Sequence, residues 1–126
     1  MNKTNLGIWF DFKIQPDNEW EILFERLIEA GIKECFINAT VEQLEYLISL
    51  TKNYDINIHG WIWTLNRPYD KKAIKNLDWY SINRNGQNCY EFRPYVDYYQ
   101  WLSPFSEGAK AYIKNNILQI AKIEGI

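Results

Sequence analysis

The chain has 126 residues, enough for one domain and too few for two comfortable ones. Its hydrophobic share of 47% and charged share of 24% exclude a disordered or fibrous chain, and the aromatic share of 17% is the outlier. A net charge of −2 offers no electrostatic footprint for a phosphate backbone, so no nucleic-acid partner is expected.

Predicted elements begin with "LGIWFDF" (6 to 12), an apolar and aromatic run that suits a strand buried on both faces. Asp17 or Asn18 can cap the helix that follows. Its apolar positions Trp20, Leu23, Phe24, Leu27 and Ile28 recur at three- and four-residue spacing, and Gly31 stands where a helix stops. "KECFINA" (33 to 39) reads as a second strand. Thr40 with Gln43 forms a capping box that opens a second helix carrying Leu44, Leu47, Ile48 and Tyr54. "INIHGWIWTL" (56 to 65) is the third strand. One amphipathic helix between each pair of strands predicts right-handed βαβ crossovers and a parallel sheet.

From Asn66 to Ser103 the periodicity stops, across Pro68, Gly86, Pro94 and nine aromatic residues. A loop this long is either functional or disordered, and its aromatic content argues against disorder. Ser103 as N-cap and Pro104 as first helical residue predict a third helix striped by Ala109, Tyr112, Ile113, Ile117 and Ile120. It stops near Gly125. The fold class expected is α/β, a partial TIM (β/α)8 barrel in one domain over 1–126. It has about three βα units and a long aromatic loop, 66–103, after the third strand. A whole barrel needs about 250 residues, so the chain reads as cut in mid-architecture.

In parallel α/β folds the carboxyl ends of the strands carry the ligand. Those ends hold Trp9 and Asp11 on the first strand, Asn38 on the second, and Trp63, Thr64, Asn66 and Arg67 on the third. Between residues 61 and 101 lie 11 of the 21 aromatics, among them Tyr95 and Tyr98, with Asp97 between those two. A pyranose stacks its C–H face on an indole or phenol and offers hydroxyls to groups such as Asn66, Arg67 or Asp97. The competing reading is that these rings form a private core of the loop. Trp61 in particular, lying within the strand, is expected to face the surrounding helices.

His59, the only histidine, lies below the proposed mouth; it is either a hydrogen-bonded core residue or a substrate contact. Gly60 beside it would allow close approach to the backbone. Asp11 could grip hydroxyls or pair with Arg67. Asp70, Asp78, Glu91 and Asp97 read mostly as solvated, and no pair at glycosidase spacing is legible. Cys35 and Cys89 give neither a disulfide framework nor a metal-ligand spacing, so no metal and no cofactor is expected. No apolar run approaches the roughly 20 residues of a membrane span, and "MNKTNLGIWF" lacks the features of a signal peptide. As written, the chain is expected in the cytoplasm.

"INIHGWIWTLNRP", "DWYSINRNGQ" and "RPYVDYYQWLSP" together resemble the glycosyl hydrolase-like family 10 domains, bacterial (β/α)8 proteins of the α-amylase-like glycosidase group. The similarity covers nearly the whole chain and is strongest from 56 to 120. It implies a barrel half, with a fourth strand ending in a candidate nucleophilic aspartate still to come. Members of that family are commonly exported. The function implied is hydrolysis of an oligo- or polysaccharide by an acid/base and a nucleophilic carboxylate, with this part inactive alone. The alternatives are a non-catalytic carbohydrate-binding module and a self-associating half-barrel.

Overall fold

Three parallel strands form one sheet in the order β1 (Leu6–Asp11), β2 (Ile32–Asn38), β3 (Asn57–Gly60). Helix α1 (Asp17–Glu29) joins the first two and α2 (Val41–Thr51) the next two, with α3 (Glu107–Ala121) near the end of the chain. The computed structural model describes residues 5–93 and 95–126; residues 1–4 and Pro94 lie outside them. Among the described residues the architecture is mixed α/β. Two compact units divide the chain: the first runs to Ile62 and takes in Gln119–Ile126, and the second is Trp63–Leu118.

In the first unit the strand order never reverses, so successive right-handed crossovers lay their helices on the same side of the sheet. The core shows this directly: Trp20, Phe24 and Leu27 of α1 and Leu44 and Leu47 of α2 share one cluster with Cys35, Ile37 and Ile58 of the strands. Rings line it, with Phe12, Trp20, Phe24 and Tyr54 in succession at centroid distances of 5.4, 5.9 and 6.0 Å. Burying each large side chain contributes about 1.5–3 kcal/mol.

The ends of these helices follow local chemistry. Gly31 stops α1 with a φ of 78°, the left-handed conformation that only glycine adopts freely. Thr40 Oγ1 accepts from Gln43 N at 3.3 Å, while Thr40 N donates to Gln43 Oε1 at 2.9 Å, which is the expected capping box. At the start of α1 the expectation needs correcting. Pro16 is the N-cap and makes no side-chain cap bond, and Asp17 is already helical. Its Oδ1 accepts the Tyr46 hydroxyl at 2.5 Å, a bond that ties α1 to α2 and pushes the Tyr46 phenol up to about 12.

Two strand expectations also change. β1 is exposed along nearly its whole length, with only Phe10 half-buried, because β2 is its one strand neighbour among the described residues and the first unit's helices cover one face. β3 is only four residues long and ends at Gly60, although Trp61 N still donates to Ile37 O at 3.0 Å. A Cβ on Gly60 would stand 2.8 Å from Ile120 Cγ2 and 2.9 Å from Leu44 Cδ1. The glycine therefore serves close packing under the helices.

The second unit has little regular structure. Two 3-10 turns, Ala73–Lys75 and Leu77–Trp79, and antiparallel bridges pairing Asn66 with Trp101 and Tyr80 with Leu102 organise it. Ala73, Tyr80, Leu102, Ala109 and Ile113 make its own buried core, flanked by Leu65, Trp79, Tyr90 and Tyr112. Gly108 meets the Trp79 indole so closely that a Cβ would collide with it. Helix α3 starts three residues after the predicted Pro104 position. Ser103 and Pro104 form a turn, with Ser106 N bonded to Ser103 O at 3.2 Å, and Ser106 Oγ accepts from Ala109 N at 3.3 Å.

Candidate functional site

Within the first unit no helix covers the face of the sheet opposite α1 and α2 among the described residues. Because side chains alternate across a strand, the register decides what it carries. Cys35, Ile37 and Ile58 point into the helix layer, so the open face holds their neighbours in three rows. Gly7, Glu34 and Asn57 form one row; Trp9, Phe36 and His59 the next; Asp11 and Asn38 the last. Trp61, one alternation beyond His59, joins them: its ring centroid lies 6.3 Å from that of Trp9, although β2 runs between their strands. The expectation that Trp61 faces the helices is thus corrected.

Each row has its own chemistry. In the middle row Trp9 is 74% exposed, and the Phe36 ring stacks on the His59 imidazole at 4.6 Å and 17°. Gly7 leaves room for that ring, since a Cβ would come within 3.0 Å of Phe36 Cε2. In the last row Asn38 Nδ2 donates to Asp11 Oδ1 at 3.1 Å, which leaves the exposed Asp11 carboxylate further acceptor capacity. In the first row Glu34 Oε2 accepts from His59 Nε2 at 2.7 Å and Oε1 from Asn57 Nδ2 at 3.0 Å. These two hydrogen bonds, His59 first, hold the Glu34 carboxyl below the usual carboxylate range.

The spacing limits what this face can do. Asp11 and Glu34 sit in rows separated by four residues along the strand (34 to 38), about 13 Å at 3.3 Å per residue. Glycosidase carboxylates stand about 5–5.5 Å apart when retaining and 6.5–9.5 Å apart when inverting. Both carboxylates also lean sideways toward partners on neighbouring strands. The face can stack and hydrogen-bond a ligand, but it holds no glycosidase pair.

Four of the expected site residues, Trp9, Asp11, Asn38 and His59, therefore share this one face. The others lie in the second unit, and two of them are committed to its architecture. Asn66 is 1% exposed and its Oδ1 accepts from Gln100 N at 2.9 Å. The Arg67 guanidinium binds Asp70 Oδ2 through Nε at 3.0 Å and Trp63 O through Nη1 at 2.9 Å, with its carbon 5.3 Å from the Tyr112 ring centroid. Its ionic partner is Asp70, while Asp11 holds Asn38. Trp63, Tyr95, Asp97 and Tyr98 are open to solvent, with Tyr95 83% exposed and Tyr98 set edge-on to Tyr99 at 4.9 Å.

Asp70 was expected to be solvated but anchors a network. Its carboxylate accepts from Lys72 N, Ala73 N, the Tyr112 hydroxyl and Arg67 Nε. Burial pushes this carboxyl up, and the hydrogen bonds from Ala73 and Tyr112, the Arg67 charge and the Lys72 amide outweigh it, leaving the group below the usual range. Sequence reasoning also missed Glu34, Phe36 and Asn57 on the open face. The alternation within "KECFIN", with Cys35 and Ile37 apolar and Glu34 and Asn38 polar, was the available signal.

No three-member group of His, Cys, Asp or Glu among the described residues is placed to hold a metal ion. No helix among them is long and apolar enough to cross a membrane. The chain matches none of the family models, curated proteins or solved structures with which it was compared.

Proposed function

We propose that the sheet represents the first three strands of a (β/α)8 barrel of the glycosyl hydrolase-like family 10 kind, and that its bare face binds a saccharide. Unreversed winding with helices on one side is what a barrel wall requires, its other side being the interior. The observation that carries the saccharide reading is Trp9, 74% exposed, with Trp61 at 6.3 Å and the Asp11–Asn38 pair one row on. An indole platform beside a carboxylate and a carboxamide suits a sugar ring with its C–H face and hydroxyl rim. The acid/base and nucleophile would come from strands outside these three, so this chain binds and does not turn over.

Titration calorimetry of the chain with cello-, malto-, xylo- and chito-hexaose tests the reading. One of them binds, and Trp9→Ala weakens it about tenfold, equivalent to about 1.4 kcal/mol. Failure of the chain to bind any of them would refute the proposal.

A second reading rests on the outer edges of β1 and β3, which among the described residues pair in the sheet with β2 alone. Strand edges of this kind beside a face of mixed aromatic and polar side chains suit pairing with another copy that completes the wall. Sedimentation showing a monomer at every concentration would remove it.

A further inference from the structure

Tyr69 is the one described residue other than glycine with a positive φ, at 58°. A bulky side chain is rare in this left-handed conformation, where its Cβ crowds the backbone. The surroundings hold it there. Tyr69 N donates at 3.0 Å to Oε1 of Gln100, a side chain with no exposed surface. Gln100 is itself pinned on three sides: Asn66 Oδ1 accepts its N–H at 2.9 Å, Asp97 O accepts its Nε2 at 3.0 Å, and its carbonyl accepts Arg67 N at 3.0 Å. On the other side of Tyr69, the Arg67–Asp70 ion pair at 3.0 Å clamps the turn.

The Tyr69 side chain is mostly turned to solvent. It is 62% exposed, and among the described residues its ring stacks on no other and its hydroxyl has no partner. Local strain maintained by a buried polar frame beneath an exposed ring points to a residue presented to something outside. We propose that Tyr69 is a saccharide-stacking platform of the second unit, set out from the surface by the Gln100–Asn66 frame. The ligand class rests on the reading of the bare sheet face given above. The ring offers a flat apolar face for pyranose C–H groups, and the Gln100 side chain that holds its backbone is itself bonded to the Asp97 carbonyl.

Tyr69→Gly separates ligand binding from structure, because glycine accepts this φ without strain. Calorimetry with the four hexaoses, alongside thermal unfolding, is run on wild type, Tyr69→Gly, Tyr69→Phe and Trp9→Ala. The expected result is an unfolding midpoint for Tyr69→Gly at or above wild type, saccharide binding by the second unit's own site about tenfold weaker, and wild-type affinity in Tyr69→Phe, which keeps the ring. Unchanged affinity in Tyr69→Gly while Trp9→Ala weakens binding would overturn this proposal and leave the sheet-face reading standing. A lowered midpoint in Tyr69→Gly would make the ring structural and also overturn it. Absence of binding by wild type to all four sugars would overturn both.

Discussion

The two units of this chain are held together by different means. In the first, regular helices press apolar stripes onto a parallel sheet, and the stabilising term is buried hydrocarbon spread over ten core residues. In the second, five residues are buried in its core, and the chain path is set by side chains that bind backbone: Asn66 and Gln100, Asp70 with Ala73, Asn88 with Glu91. The first kind of order is distributed and tolerant. The second is concentrated in a few polar groups, each of which becomes costly when its partner is removed.

Substitutions can break this contrast or sharpen it. Phe24→Ala should have the largest effect, about 3–5 kcal/mol, through the cavity left between Trp20 and Tyr54. Hydrogen exchange should then show lost protection in α1, α2 and β2, with the amides of 65–102 unchanged; equal loss in both units would break the comparison. Asp70→Asn comes next, at about 2–4 kcal/mol, since it weakens the ion pair with Arg67 and sets an amide NH2 where Oδ2 accepts from Arg67 Nε and the Tyr112 hydroxyl.

The same carboxylate gives the acid limb of stability a definite sign. Its folded pKa is lowered, so the stability it contributes is present above the unfolded value of about 4 and is lost as pH falls through the folded value below it. Acid titration of the second unit's exchange protection should therefore be flatter in Asp70→Asn than in wild type; an unaltered slope would show that other groups carry it. The smallest of the three effects is Gly60→Ala, about 1–3 kcal/mol, from overlap with Leu44 and Ile120. A neutral outcome in denaturant melts would mean the helix layer moves aside without cost.

Much of the first unit could be read from residues because its signals are local. Gly31, the Thr40–Gln43 box and the stripes of α1 and α2 each depend on neighbours within one or two turns. The placement of Trp61 was not local. Whether it faces helices or the open side is set by its pairing with β2, and the apolar run "WIWTL" contains no alternation that would reveal it. That Trp9, Asp11, Asn38 and His59 share a face follows from the strand register.

The second unit was illegible for a physical reason. Asn66 and Gln100 lie 34 residues apart and meet through one side-chain amide, a contact that no periodicity encodes. Tyr69 follows proline and precedes aspartate in "RPYD", a sequence that suggests an ordinary turn. Its positive φ comes from Gln100. Likewise Ser103-Pro104 is a good helix start by composition, yet the chain first spends a turn there and lets Ser106 do the capping.

The two free thiols are distributed one to each unit. Cys35 lies under the sheet with no exposed surface, and burial together with the Glu34 charge pushes its thiol up to about 11. Cys89 is half-buried, its Sγ bonded to Tyr99 O at 3.3 Å. An alkylating reagent therefore meets one sulfur that reacts only when the α/β layers part and another that reports on the aromatic loop. The protein carries a pair of native clocks, able to time the opening of each half without any label being introduced.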